Sequence, residues 1–80
     1  MNAINENEIA SCVRKSIGSY LSDLDGEKPS HIFEMVTRSV EKALIEVALQ
    51  HTLNNQTQAA ELLGINRNTL RHKIKQYQIG

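Results

Sequence analysis

The final third of the chain gathers side chains that donate hydrogen bonds or carry positive charge. Arg67, Asn68, Thr69, Arg71, His72, Lys73, Lys75 and Gln76 crowd one stretch, and no acid occurs from Gly64 onward. Arginine can bond bidentately to guanine and asparagine can address adenine. Threonine and lysine suit phosphate oxygens. Leu70, Ile74 and Tyr77 recur at spacings of four and three, which predicts a helix with these three turned inward and the polar residues outward or flanking. Asn66 is the expected cap of that helix. Residues at a helix N-terminus reach furthest into a major groove, which favours Asn66, Arg67 and Asn68 as base readers. Upstream, Asn55 and Thr57 open a shorter helix and are placed to meet backbone phosphates or to cap it. A solvated helix face is the plainer account of such a charge run.

These residues need a rigid mount, and the segment Gln56–Lys75 reads as a helix-turn-helix. Ala60 is small where two helix backbones approach, Gly64 permits the sharp turn, Ile65 plugs the space beneath it, and Leu70 anchors the second helix. The third helix of the chain is short, with Ala59, Ala60, Leu62 and Leu63 closed by Gly64, and Gln58 stands three residues after Asn55 in capping-box spacing. Lys73 falls where many such motifs place an apolar residue; Ile74 can serve instead.

Two further helices are predicted upstream. Ile9, Val13, Ile17, Tyr20, Leu21 and Leu24 form one stripe, stopped by Asp25-Gly26, with Cys12 beside the stripe as a packing residue. After a loop at Lys28-Pro29, Ser30 is the expected N-cap of a long helix reaching about Leu53. That helix has two apolar sets: Ile32, Val36, Val40, Ala43, Leu44 and Val47 on one face, and Met35, Ile45, Leu49 and Leu53 roughly opposite. One subunit is too short to cover both. The second set is therefore expected to form a homodimer interface, the rival being a central helix buried within one subunit. The organisation expected is a polar lead over 1–8, dimerisation helices over 9–53 and a helix-turn-helix unit over 54–80, all in one compact all-α domain.

Composition agrees with a small helical protein. Of 80 residues, 40% are apolar and 22% charged, with one proline. A chain this short buries only about 60% of its unfolded surface, which makes a lone subunit marginal. Net charge is zero, but residues 1–53 hold eight acids against five Lys or Arg, net −3, and residues 54–80 hold one acid against four, net +3. That polarity points to a polyanion at one end. No apolar run fits a membrane span and the start lacks a secretory pattern, so a cytoplasmic protein is expected. The lone Cys12 suits a reducing compartment. His31, His51 and His72 are isolated from one another and from Cys12, and no glycine-rich phosphate loop exists, so neither metal site, cofactor nor catalysis is expected.

The stretch Asn-Gln-Thr-Gln-Ala-Ala-Glu-Leu-Leu-Gly-Ile-Asn-Arg-Asn-Thr-Leu-Arg-His-Lys-Ile-Lys-Gln-Tyr, residues 55–77, resembles the C-terminal signature of the Fis (factor for inversion stimulation) family. The likeness extends more weakly to about residue 9. It implies four helices per subunit, an intertwined homodimer built on the central helices, and two helix-turn-helix units that bind and bend double-stranded DNA with loose sequence preference. It further implies a bacterial, nucleoid-associated transcription regulator. The family's DNA contacts would fall on Asn55, Thr57, Asn66, Arg67, Thr69, Arg71 and Lys73, with Asn66 and Arg67 reading bases. His72 and Lys75 extend that face. Three departures stand out. His72 replaces a lysine of the family, so protonation at low pH is expected to strengthen binding. Gln58 and Gln76 replace basic residues, which predicts weaker and less salt-sensitive binding. Only about eight residues precede the first helix, so the family's recombinase-activating arm is not expected here. The same motif also ends NtrC-type enhancer-binding regulators, and a detached module of that kind is the alternative reading. A dimerisation domain without DNA binding would have no need of an acid-free outer face.

Overall fold

The structure, a computed structural model, describes residues 6–28 and 30–80. It contains α1 (Glu6–Asp23), α2 (Ile32–His51), α3 (Gln56–Leu63) and α4 (Arg67–Gln76), and no strand among the described residues. The all-α, four-helix expectation holds. The chain divides into two compact units, Met1–His31 and Ile32–Gly80. The long helix thus belongs with the helix-turn-helix, whereas the sequence had grouped it with α1.

In the first unit, α1 begins at Glu6, so residues 6–8 are helix and not a polar lead; the rest of the expected lead lies outside the described residues. The helix ends at Asp23, one residue short of Leu24, and the chain turns through Asp25 (φ 51°) and Gly26 (φ 88°), as Asp25-Gly26 predicted. Cys12 is exposed and does not pack. Pro29, half of the expected loop dipeptide, lies outside the described residues.

In the second unit, α2 starts at Ile32, not directly after Ser30. His31 adopts a left-handed φ of 57°, and that local turn displaces the helix start from the expected cap. Three helices then share one core of Ile45, Ala48, Leu49, Ala59, Ala60 and Leu70, with Leu63, Ile65, Ile74, Tyr77 and Ile79 packed around it. Leu70 is fully buried, worth about 1.5–3 kcal/mol of apolar transfer. Alanines at 59 and 60 keep α3 thin enough for both neighbours to reach it.

That core takes up two of the four residues expected at a dimer interface. Ile45 and Leu49 are 3% and 7% exposed, filled by the subunit's own α3 and α4. Met35 and Leu53 stay exposed, Leu53 at 91%. A helix turns 100° per residue, so Ala48, Ile45 and Leu49 define one face. The other apolar set looks away from it, and Phe33, Val40, Leu44 and Val47 are all exposed. The two-stripe pattern is present: one face is the subunit core and the other is uncovered.

Candidate nucleic-acid interface

Each helix end in this unit is closed by the chain itself. Leu53 (φ 55°), Gly64 (φ 74°) and Gln78 (φ 54°) enter the left-handed region after α2, α3 and α4. The following amides return to the helix: Asn54 to Leu49 O at 2.8 Å, Ile65 to Ala60 O at 3.0 Å and Ile79 to Ile74 O at 3.0 Å. These are Schellman-type closures, satisfying carbonyls that the helix leaves open. At Gly64 a Cβ would meet nothing within 4 Å. Glycine is needed there for its left-handed backbone, not for space. Thr52 locks the α2–α3 corner, its hydroxyl donating to Ala48 O at 2.9 Å while its own carbonyl accepts from the Asn55 amide at 3.1 Å.

The helix starts are capped by two of the expected DNA contacts. Asn55 Oδ1 accepts from the Gln58 amide at 3.0 Å, and Asn66 Oδ1 accepts from the Asn68 amide at 2.7 Å. Both side chains therefore fix the helices that carry the interface. Gly64, Ile65 and Asn66 make so short a connection that α3 and α4 must pack together.

With Leu70, Ile74 and Tyr77 turned to the core, α4 exposes Arg67, Asn68, Thr69, Arg71, His72, Lys75 and Gln76. His72 lies opposite Leu70 on the helix. Gln56, from the first turn of α3, joins Asn68, Arg71, His72 and Lys75 in lining a shallow open groove. Exposed Asn55 and Thr57 flank Gln56 in the chain. The structure thus brings together the N-terminal end of α3 and the outer face of α4. Gln56 was not singled out by the sequence, although its neighbours were. No acid lines this groove, and its donors suit phosphate oxygens and base edges.

Lys73 is the exception. It was expected on the outer face, yet its ammonium donates to Glu41 Oε1 at 2.7 Å and Oε2 at 3.1 Å on α2. Its position lies between Leu70 and Tyr77, on the inward side, where a half-buried cation needs an anion. The Tyr77 hydroxyl donates to the same Oε1 at 2.6 Å, and the Arg38 guanidinium lies 5.3 Å from the Tyr77 ring centre. Hydrogen bonding from Lys73, then from Tyr77, holds the Glu41 carboxyl below its ordinary pKa. Bonding to Glu41 raises both Lys73 and Tyr77. The sequence carried one signal for Glu41, namely a lysine at an apolar motif position that required a partner.

Among the described residues, no group of three or more His, Cys, Asp or Glu could hold a metal. No helix among them is long and apolar enough to cross a membrane.

The family profile described as "Bacterial regulatory protein, Fis family" matches residues 37–77, from α2 through α4. A Fis-like DNA-binding protein of Ralstonia nicotianae is 46% identical over 74 residues, covering 92% of this chain and 96% of that protein. The DNA-binding protein Fis of Glaesserella parasuis is 44% identical over 68 residues, 85% of this chain and 69% of its own length. That of Psychromonas ingrahamii is 40% identical over 77 residues, 96% and 78% respectively. The profile spans the core-forming half of α2, both halves of the helix-turn-helix and the exposed polar face, and on that evidence the chain belongs to the Fis family of bacterial regulatory proteins.

Proposed function

We propose that this chain is a homodimeric regulator of transcription that binds and bends double-stranded DNA on the bacterial nucleoid, in the cytoplasm. The observation that carries the reading is the acid-free groove where the start of α3 meets the outer face of α4. In this reading Arg67 and Asn66 address base edges at the N-terminal end of α4. Arg71, His72, Lys75 and Thr69 hold the flanking phosphates, and Asn55 and Thr57 hold those beside α3. Affinity then comes chiefly from phosphate contacts and specificity from few base contacts.

The exposed apolar face of α2, with Val40, Leu44 and Val47, supports a second copy as the occupant. Met35 is exposed too, but on a different side of α2 from that face, and exposed Leu53 lies past the end of the helix. A dimer presents two copies of α4 to one duplex. Where their separation is shorter than a helical turn of straight DNA, the duplex must bend, and sequences that bend easily are favoured. That is a loose, shape-based preference.

A gel shift with duplexes carrying the same site at permuted positions tests both parts at once. Position-dependent mobility of the complex is expected. Binding without such dependence would remove bending, and no binding in dilute buffer would remove the reading altogether.

A further inference from the structure

We infer that Glu41 is a positioning residue for the recognition helix: it draws Lys73 and Tyr77 onto α2, fixes the C-terminal half of α4, and keeps the Lys73 ammonium away from DNA. The inference rests on the DNA-binding reading proposed above. Three donor–acceptor contacts converge on one carboxylate: two from Lys73 and one from Tyr77. Lys73 and Tyr77 are four residues apart, so they lie on one side of α4, a turn from each other. Arg38, three residues before Glu41 on α2, stacks over the Tyr77 ring. Leu70 and the Asn66 cap hold the first half of α4. Past Ile74, Tyr77 and Ile79 still pack against the core, and the charged cluster adds a polar attachment to α2.

The geometry decides between two uses of Lys73. Its side chain and that of Glu41 are 29% and 30% exposed, so the pair is partly shielded from water, and it is bonded through both carboxylate oxygens. To reach a phosphate, Lys73 would have to leave this site and strand Glu41 beside a duplex of its own charge sign. The cations left for DNA on α4 are Arg67, Arg71 and Lys75. The angle at which these enter a groove is set by where α4 lies on α2, and Glu41 governs that through its two partners.

The test exchanges the charges. Full-length Glu41→Lys, Lys73→Glu and the double exchange are compared with the parent for affinity to one duplex across a salt series. Circular dichroism confirms that each variant is helical. Each single change is expected to weaken binding roughly tenfold or more, as coupled neighbours do. The double exchange is expected to recover to within about threefold of the parent. It should keep the parent's dependence of log K on log salt, because no phosphate contact has been lost. Lys73→Met supplies a second arm: weaker binding with an unchanged salt slope is expected. A double exchange as weak as Lys73→Glu alone, or a slope reduced by about 0.9 per lost contact in Lys73→Met, would make Lys73 a DNA contact and overturn the inference. A parent that binds no duplex would overturn the DNA reading and this inference with it.

Discussion

Lys73 on α4 donates to both carboxylate oxygens of Glu41 on α2, at 2.7 and 3.1 Å, across 32 positions of sequence. The contact is long-range in the chain and tertiary in kind. It ties the helix carrying the polar face to the helix carrying the uncovered apolar face. Its titration behaviour therefore bears on how firmly the face is held.

The first expectation concerns acid. Glu41 has a lowered pKa in the folded chain, caused by the hydrogen bond from Lys73 and then that from Tyr77. Its stabilising contribution is full above the ordinary carboxylate range and is lost as the pH falls through the lowered folded value. Lys73 and Tyr77 are raised by Glu41, so their contributions persist at neutral pH and fade as alkali passes their folded values. Arg38, over the Tyr77 ring, is the other charged neighbour of the cluster. Thermal melts of the full chain should show a flatter acid limb for Glu41→Gln than for the parent. Identical acid limbs would mean that the pair contributes nothing to stability.

Asn66 separates two roles that share one side chain. Its Oδ1 caps α4 through the Asn68 amide, so Asn66→Ala should lose about 1 kcal/mol of stability, the usual cost of a missing cap. Asn66→Ser keeps a capping oxygen and removes the amide that would address adenine. The serine variant is expected to melt near the parent and still bind weakly. Parent-like binding by that variant would confine Asn66 to capping.

Much of the site was legible in the sequence because its signals are local. Gly64, Asn55 and Asn66 act on residues within a few positions, and the spacing of Leu70, Ile74 and Tyr77 names the inward face directly. Which face of α2 becomes core was not legible. Ile45 and Leu49 look no more apolar than Leu44 and Val47; only the docking of α3 and α4 decides which pair becomes core. The same holds for Lys73, whose charge suggested solvent until Glu41 was found opposite it. Ile79 packs against the core only because Gln78 turns left-handed after α4, a conformation that glutamine does not announce.

Arg67 stands exposed at the first position of α4, the end that enters a major groove deepest. Arg67→Ala should cost about 1–3 kcal/mol of binding and relax preference at one base position. Competition between related duplexes measures this. A uniform loss over all sequences would reassign Arg67 to phosphate.

His72 faces outward, opposite Leu70, beside Arg71 and Lys75 in the groove. Replacing it with lysine adds a cation that is charged at all physiological pH values. His72→Lys should strengthen binding near neutral pH and steepen the salt dependence by up to about 0.9 in log–log slope for each phosphate gained. Unchanged affinity and slope would show that position 72 meets no phosphate.

The dimer contact proposed for the uncovered face of α2 makes opposite forecasts for two nearby residues. Val47 is 64% exposed on the uncovered face, whereas Leu49 is 7% exposed in the subunit core. Val47→Asp places a charge where a second copy would pack, and should yield monomers in sedimentation and abolish any rise of melting temperature with protein concentration. Leu49→Asp buries an unpaired carboxylate among α3 and α4. It should destabilise the fold itself by at least the roughly 2–5 kcal/mol typical of truncating a core leucine, at any concentration. An intact dimer after Val47→Asp, with Leu49→Asp folded but monomeric, would return the contact to the face of Leu49 and refute the proposed one.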